Sequence, residues 1–130
     1  MMQQFYYLAE LIYVMVMIHS IWSALLLQKK ISLPLKGFLR KCLRLPLVMI
    51  SVLFVHCMEA AVFAVFYSFK EALPSLEDAM YFSLASYATV GYGDVLLPHE
   101  LRLTGAAEGL IGTLMVSWTM AVLVNYFKDH

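Results

Sequence analysis

Charge is what this sequence has least of: 14% of its 130 residues are Asp, Glu, Lys or Arg, against 62% hydrophobic. A water-soluble domain of that composition would have nowhere to put its apolar surface, so the implied solvent is a bilayer. Nine basic and nine acidic residues cancel, which removes the electrostatic footprint of a nucleic-acid binder and leaves nucleic acid off the list of expected partners. Cysteine is nearly absent. Cys42 and Cys57 form neither a CxxC pair nor a disulfide framework and read as free apolar thiols. A nucleophile, base and orienter cannot be placed together by spacing around His56, Cys57 and Glu59, so no catalytic residue and no enzymatic activity are expected. The N-terminal Met1-Met2-Gln3-Gln4-Phe5 lacks the positive start of a signal peptide, and the apolar stretch after it is too long for one, so it is expected to be retained. No arginine series occurs in the first apolar run, which excludes a voltage sensor of the usual kind. After Phe127 the sequence leaves no room for a cytoplasmic ligand-binding domain.

What is present is long apolar runs. Leu11 to Leu27 is free of formal charge, and with Phe5 to Ala9 added it reaches the length that crosses about 30 Å of hydrocarbon as a helix. Tyr6, Tyr7 and Trp22 lie toward its ends, where amphipathic rings suit the headgroup level, and Lys29-Lys30 closes it. Pro46 to Phe69 carries only Glu59 as a charge, and Pro46 suits the first turn of a helix because its missing N–H needs no partner there. Leu103 to Phe127 is a third run, interrupted by Glu108. Between the last two, Ser75 followed by Asp78 three residues later reads as a capping box, with Glu77 and Asp78 at the positive end of the helix dipole. A helix is predicted from about Leu76 to Ala88, half the length needed to cross. The chain is therefore expected to dip into the membrane and return through the residues starting at Thr89. Irregular backbone at that depth is tolerated only where protein buries it or it lines a water-filled path.

Six of the nine basic residues, Lys29, Lys30, Lys36, Arg40, Lys41 and Arg44, occupy the stretch between the first two runs, which the positive-inside rule places in the cytoplasm. The N-terminus is then expected outside and the C-terminus inside a plasma membrane. Leu35, Phe38, Leu39, Cys42 and Leu43 fall on one helical face, with Lys36, Arg40 and Arg44 on another, the pattern of an interfacial helix. Its role is either topogenic or that of contacting anionic membrane lipids through Lys36, Arg40 and Arg44. The expected organisation is an N-terminal membrane helix at 1–30, a basic amphipathic segment at 31–45 and a third unit at 46–127.

Thr89-Val90-Gly91-Tyr92-Gly93-Asp94 carries the chemistry. A cation entering a narrow path needs its hydration shell replaced by oxygens, and backbone carbonyls aimed at one axis supply them. Aiming successive carbonyls the same way requires positive φ at intervals, which Gly91 and Gly93 adopt without steric cost. Here the chain resembles the potassium channel pore-domain family, a two-helix pore module of bacterial type with this TVGYGD filter, over about Pro46 to Phe127. The resemblance implies an all-α membrane fold with three transmembrane helices, a re-entrant pore helix and a filter loop. It also implies a homotetramer with four chains around one pore. K+ ions would bind at the carbonyls of Thr89, Val90, Gly91 and Tyr92 and at the Thr89 hydroxyl, with Gly93 completing the filter. No other cofactor is expected, and the function implied is passive K+ conduction. The runner-up is a non-conducting or less selective regulatory subunit of a cation channel. Asp94 and Tyr81 occupy the places where family filters are braced from behind. Many members carry tryptophan where Tyr81 stands, and plain packing of Tyr81 is the other reading.

Gly105, Gly109 and Gly112 recur at helical spacing, which permits close helix approach, and by resemblance Gly112 is also a candidate gating hinge. His56 and Glu59 share a helix face, and with Glu108 they form an expected buried polar set behind the filter, serving either helix cohesion or proton sensing. A metal site there would need a third ligand, for which His19 is only a spatial possibility, and none is predicted. His99, Glu100 and Arg102 are expected near the outer mouth.

Overall fold

The computed structural model describes residues 2–28 and 37–128. Among them lie α1 (Met2–Gln28), α2 (Gly37–Phe69), α3 (Leu76–Tyr87) and α4 (Arg102–Lys128), with a 3-10 turn at His99–Leu101 ahead of α4. The stretches Gln3–Gln28, Cys42–Phe69 and His99–Lys128 are long and apolar enough to cross a membrane. The short helix α3 begins as its capping residues dictate. Ser75 is extended (φ −143°, ψ 163°), and its Oγ accepts the Asp78 N–H at 3.0 Å. The reciprocal bond differs from a full capping box, because the Ser75 hydroxyl itself donates to Asp78 Oδ2 at 2.7 Å.

Pro46 does not start a helix. It lies inside α2, which begins at Gly37 and takes in residues 37–45 of the expected interfacial segment, residues 31–36 lying outside the described residues. Proline removes one bond to the carbonyl four residues back, but the chain stays helical across it. At its other end α2 closes with the two bonds of a Schellman motif. Ala72 N–H donates to the Tyr67 carbonyl at 2.9 Å and Glu71 N–H to the Ser68 carbonyl at 3.0 Å. Glu71 takes the left-handed conformation (φ 50°) where glycine is usual, so no local sequence signal marks this end.

Helix α1 runs alongside α4, with the Gln4 amide donating to the Glu100 carbonyl at one end and His19 against Trp118 (ring centroids 5.1 Å apart) farther along. It runs antiparallel to α2, placing Tyr7 beside Phe66 near the C-terminal end of that helix. Two apolar clusters hold the bundle. One gathers Leu11, Met15, Phe63, Tyr67, Tyr87 and Ile111 with their neighbours; the other gathers Leu26, Val48, Val122, Leu123 and Tyr126. Ala60 and Ala64, four apart and fully buried, keep one face of α2 flat for close approach. In sequence order along α1, α2 and α4, the buried polar residues His19, Glu59 and Thr119 fall at the level between the two clusters.

Helix α4 meets α3 through its glycines. A Cβ built on Gly112 would lie 2.1 Å from the Tyr87 carbonyl oxygen, and one on Gly109 would lie 3.2 Å from that of Ser86. Helix α4 runs unbroken through Gly112, whose place is set by the Tyr87 backbone. Backbone cannot yield as a side-chain tip can, so Gly112→Ala should destabilise by about 1–3 kcal/mol, the cost of overpacking, and Gly109→Ala by less. Thermal melting of the purified protein measures this, and a wild-type midpoint for Gly112→Ala would contradict the packing.

Candidate functional site

The segment that leaves α3 is built from backbone first. Ala88 caps the helix, its N–H donating to the Leu84 carbonyl at 3.0 Å, and the N–H groups of Val90 and Gly91 both donate to the Ala85 carbonyl at 2.8 and 3.1 Å. The last carbonyls of the helix are thereby partly satisfied as the chain turns out of it. Gly91 (φ 55°) and Gly93 (φ 78°) adopt positive φ, and so does Thr89 (φ 58°), whereas Val90 and Tyr92 do not. The sign of φ alternates residue by residue through the segment. Thr89 is the member that sequence reasoning missed, because a β-branched residue rarely enters that region and nothing in its type announces it. In the single chain Thr89 to Asp94 are all exposed.

Asp94 is tied back to α3. The Tyr81 hydroxyl donates to Asp94 Oδ2 at 2.7 Å, Asp94 Oδ1 accepts the Val95 N–H at 3.1 Å, and the Tyr81 and Tyr92 rings stack at 6.2 Å with 12° between planes. The hydroxyl of Tyr81 holds the Asp94 carboxyl below its ordinary value, and the same bond holds the Tyr81 phenol above its own.

Behind the segment lies a polar layer. Tyr87, the last residue of α3, donates its hydroxyl to Glu59 Oε2, an oxygen that His56 Nδ1 also faces at 3.1 Å. His19 Nδ1 meets Glu59 Oε1 at 2.8 Å, and His56 Nδ1 lies 2.8 Å from the Tyr87 hydroxyl. Thr119 Oγ1 sits 2.9 Å from His56 Nε2 and 3.4 Å from His19 Nε2. His19 and Glu59 are fully buried and His56 is partly exposed. The trio expected from sequence is thus divided. His56 and Glu59 join His19, Tyr87 and Thr119, while Glu108 accepts the Tyr67 hydroxyl at 2.8 Å.

The basic stretch departs from expectation at Arg44. Instead of facing lipid, it turns inward: its guanidinium lies 4.7 Å over the Tyr126 ring and its Nε–H donates to the Tyr126 hydroxyl at 2.9 Å. A cation over an aromatic face is better satisfied there than beside hydrocarbon. Arg40 belongs to α2; Lys29, Lys30 and Lys36 lie outside the described residues. His99 opens the 3-10 turn, and Glu100 in that turn receives the Gln4 amide on its carbonyl.

A bundle with three membrane-length helices, a capped short helix and an exposed glycine-bearing segment defines a multi-pass helical membrane protein. Residues 48–129 match the family described as ion channel. That is more than half of the chain, which belongs to this ion channel family. The matched region takes in most of α2 together with α3 and α4, and leaves α1 outside. Neither a curated protein nor a solved structure matches the chain.

The tie between Tyr81 and Asp94 has a defined pH window. Folded Asp94 titrates below the unfolded value of about 3.9, so its contribution is fully present above that pH and is lost as pH falls through the lower folded value. Folded Tyr81 titrates above its unfolded value of about 10, so its contribution is present below that pH and lost as pH rises through the folded value. Tyr81→Phe should return Asp94 to the ordinary carboxylate range. An NMR titration of the Asp94 carboxyl measures the change, and identical midpoints in wild type and variant would contradict the assignment.

Proposed function

We propose that this ion channel is K+-selective, that Thr89 to Gly93 form its selectivity filter, and that the functional unit is a homotetramer. The observation that carries the reading is the alternating sign of φ across Thr89, Val90, Gly91, Tyr92 and Gly93. In ordinary extended chain successive carbonyls point opposite ways. Positive φ at every second residue is what a ribbon needs to turn them toward one side, where they replace the water around a dehydrated cation. The carbonyls of Thr89, Val90, Gly91 and Tyr92 and the Thr89 hydroxyl are the proposed K+ ligands. One segment cannot encircle an ion, so several copies must meet at an axis. Leu103, Leu110, Leu114 and Val124 of α4 remain exposed in a single chain, which leaves apolar surface for neighbouring copies or lipid to cover.

In this reading α3 is a re-entrant pore helix whose C-terminal dipole end faces the permeating cation. Asp94 and Tyr81 support the filter from behind, and Gly112 sets how closely α4 approaches α3. The N-terminus faces outside, the C-terminus faces the cytoplasm of a plasma membrane, and Lys36 and Arg40 remain the candidate lipid contacts. The purified chain reconstituted in liposomes should pass K+ down its gradient and exclude Na+. Gly91→Ala, which forces a Cβ into a left-handed position, should reduce K+ flux by about tenfold or more, since that strain of roughly 1–2 kcal/mol falls on the ligand-bearing backbone. Equal Na+ and K+ flux would overturn the selectivity, and normal flux through Gly91→Ala would overturn the filter assignment.

A further inference from the structure

His19, His56 and Glu59 offer ligand atoms that all lie within 4.8 Å of one another, although His19 belongs to α1 and the other two to α2. The sequence pairs His56 with Glu59 and leaves His19 as a spatial possibility only, with no metal site expected; packing of α1 brings His19 to the pair. We infer that these three residues bind a divalent transition-metal ion of the Zn2+ type, fastening the N-terminal helix to the channel domain.

Charge is the first argument. Glu59 is fully buried at membrane depth, and its ion-pair partners among the described residues are His19 and His56 alone, with no lysine or arginine. A buried carboxylate must be paired or coordinate a metal. When Glu59 is ionised, its countercharge is either a proton on one of the rings or a metal ion shared by both.

The far side of each ring is arranged so that both Nδ1 atoms can ligate. Both Nε2 atoms face the same hydroxyl, Thr119 Oγ1, at 2.9 Å from His56 and 3.4 Å from His19. A hydroxyl has two lone pairs and one hydrogen. It can accept from both Nε2–H groups, or accept from one ring and donate to the other. If both rings carry their proton on Nε2, both Nδ1 lone pairs face Glu59 at 2.8 Å and 3.1 Å, and the single hydrogen of the Tyr87 hydroxyl is shared between His56 Nδ1 and Glu59 Oε2. That leaves three electron-rich donors turned toward one another, which a cation among them reconciles. A ligating histidine whose other N–H is held by an outer acceptor is the usual arrangement of metal sites, and Thr119 is that acceptor for both rings. The Tyr87 hydroxyl, bonded to Glu59 Oε2, orients the third ligand in the same way.

Donor type selects the ion. Two imidazoles and one carboxylate suit Zn2+ and its borderline neighbours, whereas K+, Mg2+ and Ca2+ prefer all-oxygen shells. Tetrahedral coordination with bonds of about 2.0–2.2 Å separates ligand atoms by roughly 3.3–3.5 Å, so the His19–Glu59 pair, now at 2.8 Å, must part by about half an ångström and any pair near the 4.8 Å limit must close by more than that. The rings of Trp22 and Trp118 flank His19 with centroids 5.4 and 5.1 Å away and shield the site, while His56, 15% exposed, offers the approach.

The test uses the full-length, tag-free protein in detergent, stripped with chelator and titrated with Co2+. One Co2+ per chain with the visible bands of a tetrahedral nitrogen and oxygen site is expected, displaced by Zn2+, with a higher melting midpoint in Zn2+. His19→Ala and His56→Ala should each weaken binding by tenfold or more, and Thr119→Val by about 10–100-fold; His99→Ala, in the exposed 3-10 turn, should bind as wild type. Folded wild-type protein that gives only the spectrum of hydrated Co2+ would overturn the site, whatever the variants do. Equal binding by wild type and His19→Ala would also overturn it. Neither result bears on K+ selectivity.

Discussion

The arrangement depends on how one buried carboxylate is satisfied. Glu59 sits at membrane depth, where an unpartnered charge is among the costliest features a helix can carry. Its oxygens are met by His19 from α1, His56 from α2 and Tyr87 from α3, and Thr119 of α4 closes the layer from beyond the two rings. All four helices contribute to a single group. Loss of any one contact leaves a polar atom bare in apolar surroundings, so the layer selects one packing of the bundle over others that the apolar clusters above and below it would permit equally well.

Tyr87 transmits that constraint to the functional segment. It is the last residue of α3, its hydroxyl is held by the polar layer, and its backbone is pressed against Gly112 of α4. Two residues later Thr89 begins the alternating run. The far end of that run is held by Tyr81, which donates to Asp94 and stacks on Tyr92. Backbone carbonyls that must meet a cation within tenths of an ångström need such fixing at both ends, because the segment itself has few bonds of its own. The proposed filter is therefore positioned by side chains on α3 at either end of its path, one pointing into the bundle and one toward the exposed face.

Most elements were legible from simple signals. Long uncharged runs marked the three membrane-length helices, and Ser75 with Asp78 marked the start of α3. Local rules failed where a residue's usual preference was overruled. Pro46 reads as a helix start yet is carried inside α2, and Glu71 takes a left-handed position with no glycine to announce it. Arg44 reads as facing lipid yet turns onto Tyr126. Of the candidate site, Gly91, Gly93 and the pairing of Tyr81 with Asp94 were accessible from the motif. The left-handed Thr89 was not, since it is set by the turn out of α3. The meeting of His19 with Glu59 was invisible for a different reason: it joins residues on separate helices, and only the rotation and depth of α1 against α2 decide which side chains coincide. The packing of α4 on α2, equally absent from sequence spacing, leaves Glu108 with Tyr67 instead of with His56.

The alternating backbone of Thr89 to Gly93 is proposed to select K+ by replacing its hydration shell. That selection is tested most directly by single-channel recording in a planar bilayer with K+ on one side and Na+ on the other. A reversal potential far from zero, in the direction of K+ permeation, is predicted. A reversal potential near zero, with current carried equally by both ions, would contradict the account.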